Sequence, residues 1–264
     1  MYEVNYQKPA SLDEAIRALG SDEDAKLVAG GMTLIPTLKQ RLARPSELVD
    51  LAAISSLKGI SEDGGAVVIG AMTRHADVNR SPVVKAGIPA LAAMAGLIGD
   101  PAVRNRGTIG GSIANNDPAA DYPAAVVALN ATVRTNKREI AGDDFFTGLF
   151  ETALEPDEII TAVRFPKVAQ ANYQKFRNPA SRYAIVGVFV AKTAAGVRLA
   201  VTGAGAVVFR VPEMEAALAK SFAADAIKDI AIPQDGLNSD IHASAEYRAH
   251  LVNVMARRAV AACA

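Results

Sequence analysis

Apolar and polar positions follow two rhythms along this chain, one near 3.6 residues and one near 2, and each change of rhythm marks an element. Ser11-Leu12-Asp13-Glu14 is a capping box, in which Ser11 and Glu14 satisfy opposite orphan donors at a helix start, and Gly20 closes that helix. Lys26 to Ala29 reads as a short strand. Gly30-Gly31 breaks it, and Leu34 to Leu42 has helical spacing, with Pro36 tolerated in the first turn and Pro45 as a stop. Strands are predicted over 47–51 and 57–61, and Asp63-Gly64 turns the chain into a strand over 66–70. Helices follow over 73–80 and 88–98.

Gly99 to Pro118 holds four glycines and two prolines but keeps an apolar pair, Ile109 and Ile113, so a structured loop is expected there. A helix over 119–129 leads to a hairpin through Asn136-Lys137, a turn at Asp143-Asp144-Phe145-Phe146, and a strand over 158–165 that Pro166 closes. From Tyr173 the pattern shifts to long strands over 173–177, 184–193 and 196–204, then to three helices starting near Pro212, Ala224 and Ser244. A boundary is expected near 167–171, and the whole reads as an α+β protein of at least two lobes.

Composition narrows the function. The 264 residues carry 28 basic and 28 acidic side chains, so no diffuse positive field attracts phosphate backbones, and a nucleic-acid role is not expected. The longest uncharged stretch, Ala86 to Gly99, is too short for the roughly 20 apolar residues of a transmembrane helix. The N-terminal residues lack the apolar core of a secretion signal, and a cytoplasmic location is expected. The single cysteine, Cys263, excludes an internal disulfide or a Cys-ligated iron–sulfur cluster in this chain. His75, His242 and His250 are scattered without metal-ligand spacing, so a metal is not expected here either.

Two double-glycine turns carry the candidate chemistry: Ala29-Gly30-Gly31-Met32-Thr33 and Thr108-Ile109-Gly110-Gly111-Ser112. Without a Cβ, main-chain N–H groups can approach a pyrophosphate closely, and a following helix start offers orphan donors. Thr33, Thr108 and Ser112 add hydroxyls beside the turns. Neither turn matches the Rossmann or P-loop glycine patterns.

Set in longer stretches, these turns resemble a known family. VAGGMTLIP, RNRGTIGGSIANNDPAADYP, DDFFTGLFETALEPDEIITAVRFP, YQKFRNPASRYAIVGV and EYRAHLVNVMARRAV are similar, in order, to segments of the FAD-binding medium subunit of molybdenum hydroxylases, the group of xanthine dehydrogenase and carbon monoxide dehydrogenase. The resemblance implies an α+β flavin fold of the vanillyl-alcohol-oxidase type in two subdomains, 1–55 and 56–167. A C-terminal domain of the carbon monoxide dehydrogenase flavoprotein type would span 168–264. It implies non-covalent FAD, with the stretch Val28, Ala29, Gly30, Gly31, Met32, Thr33, Leu34 and Ile35 around the pyrophosphate and Thr108, Gly110, Gly111 and Ser112 on its other side. Ile98 would cover one face of the isoalloxazine ring and Ile160 or Ile159 the other. Asp121 would accept hydrogen bonds from ribityl hydroxyls or nearby groups, Lys175 would donate to the flavin's pyrimidine edge, and Tyr183 would reach the flavin. Met32 stands where many relatives carry a polar or imidazole side chain.

The implied role is electron transfer without substrate oxidation in this chain. Electrons would arrive from the 2Fe-2S clusters of a small iron–sulfur subunit, fed by a large subunit holding the molybdenum cofactor, and leave to NAD, a quinone or another acceptor. A dimer of heterotrimers is the implied assembly. Two other readings share some features: a stand-alone FAD reductase resembling the UDP-N-acetylenolpyruvoylglucosamine reductase, and a scaffold subunit without cofactor.

Overall fold

The computed structural model describes residues 1–263. The first lobe runs β1 (Asn5–Gln7), α1 (Leu12–Gly20), β2 (Lys26–Val28), α2 (Leu34–Lys39) and β3 (Glu47–Asp50), its strands forming a parallel sheet in the order β1-β3-β2. The capping box forms with one change of partner. Ser11 Oγ accepts from the Glu14 N–H at 3.3 Å, while the Glu14 carboxylate takes the N–H of Ala10 rather than that of Ser11. α2 stops at Lys39, well before Pro45, because Arg41 enters the left-handed region at φ +61°.

The second lobe begins with β4 (Ile60–Asp63) and β5 (Ala66–Gly70). The hairpin tip is Gly64-Gly65, one residue later than the Asp63-Gly64 expected, since both glycines take positive φ as a primed two-residue turn requires. Five short helices follow: α3 (His75–Arg80), α4 (Pro82–Gly87), α5 (Pro89–Gly96), α6 (Pro101–Arg104) and α7 (Ile109–Asn115). The expected loop from Gly99 to Pro118 is thus largely helical. Asp100 and Thr108 cap α6 and α7 through bonds from the N–H groups of Val103 (2.9 Å) and Gly111 (3.2 Å). α4, which the pattern did not predict, starts from Ser81 and Pro82.

Next come α8 (Tyr122–Ala128), β6 (Thr132–Thr135), β7 (Glu139–Ala141), α9 (Gly142–Phe145), β8 (Phe146–Gly148), β9 (Glu151–Thr152) and β10 (Ile160–Pro166). The expected turn at Asp143–Phe146 is the short helix α9. The second sheet is antiparallel, ordered β4-β5-β10-β6-β7.

The last lobe is a four-stranded antiparallel sheet in chain order: β11 (Gln170–Arg177), β12 (Ala184–Thr193), β13 (Gly196–Thr202) and β14 (Phe209–Arg210). α10 (Pro212–Lys220) and α11 (Ala245–Ala262) cover one face, and the helix expected near Ala224 is a single 3₁₀ turn. Side chains of β12 alternate as a pleated strand requires. Val186, Val188 and Val190 pack under α10 and α11, while Phe189 and Ala191 join the core of the second lobe. The third sheet therefore has no solvent face along β12, and its inner side belongs to the same apolar core as α5 and α8.

Candidate functional site

A cavity of about 630 Å³ lies where all three lobes meet. Its walls include the first glycine turn, the turn after α5, the start of α7, the segment Asp117–Asp121, Leu154–Pro156 with Glu158–Ile160, and the loop Ser181–Tyr183. Of the residues singled out from sequence, Ala29, Gly30, Gly31, Met32, Thr33, Leu34, Ile98, Thr108, Gly110, Gly111, Ser112, Asp121, Ile160 and Tyr183 line it. Val28, Ile35 and Lys175 do not; they stand behind lining residues.

The two turns touch each other. An added Cβ on Gly30 would collide with the carbonyl of Arg106, and one on Gly111 would lie 3.1 Å from Ala29 Cβ. Their amides behave differently. Among the described residues, the N–H groups of Gly30 to Leu34 donate to no protein acceptor, and Gly31 takes φ +71°. That run of free donors is the kind of backbone concavity that holds an anion. In the second turn the amides from Ile109 to Ser112 are all used: Ile109 donates to Thr73 O (3.1 Å), Gly110 to Ala71 O (2.8 Å), Gly111 to Thr108 Oγ1 (3.2 Å) and Ser112 to Thr108 O (3.0 Å). The orphan donors expected at that helix start are absent. The pair is glycine there for packing, since a Cβ on Gly110 would stand 2.6 Å from Ala71 Cβ and 2.8 Å from Ala71 O.

Asp121 is buried, and its carboxylate does not cap α8. It is bound by the Tyr173 hydroxyl and by Lys175 Nζ at 2.9 Å, both from β11. Both side chains of the Asp121–Lys175 pair are almost fully buried. Burial raises the Asp121 carboxyl above its ordinary range, and the adjacent ammonium opposes that shift. Gly187 on β12 makes room for the Tyr173 hydroxyl, onto which a Cβ would fall. The segment before Asp121 is held from the same side: Thr202 Oγ1 donates to Ala120 O (2.6 Å) and Gly203 N to Pro118 O (2.8 Å). The C-terminal sheet thus fixes the cavity's back wall.

Three features had no local sequence signal. Asn116, buried and at φ +42°, ends α7 and donates to Gly148 O (2.8 Å) and Glu151 O (2.7 Å), tying the β8–β9 hairpin to that helix. His75 is buried in the cavity wall with Nδ1 unpartnered. Burial, with the charge of Arg104, lowers its pKa to about 4, so the imidazole is neutral at pH 7. Glu158 is held near pKa 2, chiefly by hydrogen bonds from Arg138, and anchors Ile159 and the start of β10 at Ile160. Asp117 moves the other way, raised by burial. Tyr183 is half exposed at the mouth, its hydroxyl shifted upward by burial and by Asp117.

Residues 2–168 match the family described as the FAD binding domain in molybdopterin dehydrogenase, and residues 171–263 match the CO dehydrogenase flavoprotein C-terminal domain. The chain belongs to the FAD-binding medium subunits of molybdenum hydroxylases. Within that family it is 38% identical to the nicotine 6-hydroxylase medium subunit of Paenarthrobacter nicotinovorans, covering 97% of this chain and 96% of the relative. It is likewise 38% identical to the carbon monoxide dehydrogenase medium chain of Hydrogenophaga pseudoflava, covering 97% and 95%. A solved carbon monoxide dehydrogenase chain from the same organism superposes with a TM-score of 0.91 at 37% identity, over 99% of this chain and 97% of that one. Quinoline 2-oxidoreductase from Pseudomonas putida 86 gives 0.90 at 31% identity, over 99% and 97%. Membership makes this medium subunit a flavoprotein component of an oxidoreductase. No helix among the described residues is long and apolar enough to cross a membrane, and no group of side chains among them could hold a metal ion.

Proposed function

We propose that the cavity holds FAD non-covalently and that the chain relays electrons between partner iron–sulfur clusters and an external acceptor. The observation that carries this reading is the run of free N–H groups from Gly30 to Leu34, opening onto a cavity walled by Ile98 on one side and Ile159 and Ile160 on another. The residues present fit the group. The free amides and the Ser112 hydroxyl would bind the diphosphate, and the isoleucines would flank the isoalloxazine ring and exclude water from it. Bound FAD supplies the one- and two-electron chemistry that this side-chain set lacks. Thr108, Gly110 and Gly111 would shape the wall and keep α7 against the first turn, rather than donate their amides.

Asp121 would present its carboxylate to the ribityl side, oriented by Tyr173 and Lys175. Because Lys175 is paired with Asp121, its charge reaches the pyrimidine edge largely neutralised. Tyr183 would sit at the mouth, beside the exposed Met32. The chain supplies position and environment, and no proton transfer by its side chains is required.

The same reading gives the partners: a large subunit with the molybdenum cofactor and a small subunit with 2Fe-2S clusters, as a dimer of heterotrimers in the cytoplasm. The relatives' designations as medium subunits support a multi-subunit assembly. The substrate belongs to the large subunit. Domain limits at 1–55, 56–167 and 168–264 are supported by the three larger sheets, one of which falls within each range. Purification of the native assembly with flavin and metal analysis tests the reading. Gly111→Val, which pushes α7 away from Ala29, is expected to leave the assembly without flavin. Full flavin content in that variant would overturn the proposed site.

A further inference from the structure

The turn that carries Ile98 is held in an unusual way. Carbonyls at a helix end normally face water or a local cap. Here all three carbonyls of Leu97, Ile98 and Gly99 are taken by cations from opposite sides. Arg104 Nη1 donates to Ile98 O at 2.9 Å and to Gly99 O at 3.1 Å. Lys175 Nζ donates to Leu97 O at 3.4 Å while holding Asp121 at 2.9 Å. Gly99, at φ +49°, lets the chain fold back so closely on α6 that a Cβ would stand 2.9 Å from Val103. Ile98 points into the cavity wall, whereas Arg104 is not among the lining residues.

We infer that Arg104 is a positioning residue for the flavin ring: it acts on the cofactor through the Ile98 and Gly99 carbonyls and fixes the side chain that covers one face. Lys175 completes the bracket from the C-terminal lobe, so a single turn is registered against both α6 and β11. The inference rests on the FAD reading above and adds to it a residue that does not touch the cavity. Loss of the Arg104 bonds frees the turn without altering the amides of Gly30 to Leu34, so it separates ring coverage from cofactor retention.

The test uses the native assembly purified through this chain, with sulfite as the probe, since it adds to accessible flavin rings and bleaches their visible absorption. R104Q is expected to keep wild-type flavin stoichiometry and to react with sulfite about tenfold faster, the ratio expected when the charge-assisted bonds to the turn are replaced by a weaker neutral one. R104K, which retains a charged donor, is expected to fall between R104Q and wild type. I98A alone is expected to reproduce the acceleration, and R104Q combined with I98A to add nothing to I98A. A wild-type sulfite rate in R104Q, or additive effects in the double variant, overturns the inference. If R104Q does not assemble, R104K decides by the same criterion, a wild-type rate overturning it. A wild-type assembly that contains no flavin would instead defeat the FAD reading itself.

Discussion

Ala29–Thr33 and Thr108–Ser112 carry the same Gly-Gly pair, and the chain uses it oppositely in the two places. In the first turn, glycine permits a left-handed residue and leaves consecutive amides turned away from any protein acceptor. In the second, it lets a helix start press against the backbone of Ala71 until the four amides from Ile109 to Ser112 are consumed. One turn is built to meet something outside the chain, the other to meet the chain itself. A shared dipeptide therefore says little about role; the fate of its N–H groups says a great deal.

Gly110→Val gives the largest expected effect on that contrast. Its side chain has no room beside Ala71, and overpacking should destabilise the fold by roughly 3 kcal/mol or more in urea denaturation. Wild-type stability would show that the second turn is not a packing device. His75, pressed against Gly107 in the same wall, should give a pH signature of similar size. Unfolded imidazole protonates below its ordinary 6.5, while the folded group stays neutral down to about 4. The unfolded state thus binds more protons in that window. Stability should be full above pH 6.5, fall by about 3 kcal/mol as pH drops to 4, and change no further from this group below that. H75Q should lose this slope, and an unchanged slope would locate it elsewhere.

Gly31→Ala forces a side chain into positive φ and should reduce stability by about 1–2 kcal/mol. Flavin content of the assembly should fall out of proportion to that loss, because the free amides move with the turn. Thr108→Ala removes only a helix cap. It should lower stability by about 1 kcal/mol with a minor loss of flavin, and a complete loss would mean that the two turns share the ligand equally.

Much of the fold was legible because it is written locally. The capping box at Ser11, the hairpin at Asn136-Lys137 and the alternation through β12 and β13 each depend on residues a few positions apart. α6 and α7 were not legible: four glycines depress helix propensity across their stretch, and the helices persist through the Asp100 and Thr108 caps and burial of Ile109 and Ile113. At the site, the cavity-lining residues lay in recognisable motifs. Pairings across lobes did not. Lys175 in a strand pattern looks like a solvated side chain, and only the fold brings it to Asp121, 54 positions earlier. Arg104 is different: its acceptors, Ile98 O and Gly99 O, lie only six and five positions away, and the turn that brings them together depends on the left-handed Gly99.

The doubly buried strand β12 has a consequence for recombination among relatives. The linker at 167–169 looks like the natural joint for exchanging C-terminal lobes, but Phe189, Ala191, Tyr173 and Lys175 all reach across it into the neighbouring lobe. A chimaera spliced there inherits one parent's Asp117–Asp121 segment and the other's supports for it. Grafts should survive only when both pieces travel together, which makes the two matched regions a single unit of inheritance despite the boundary between them.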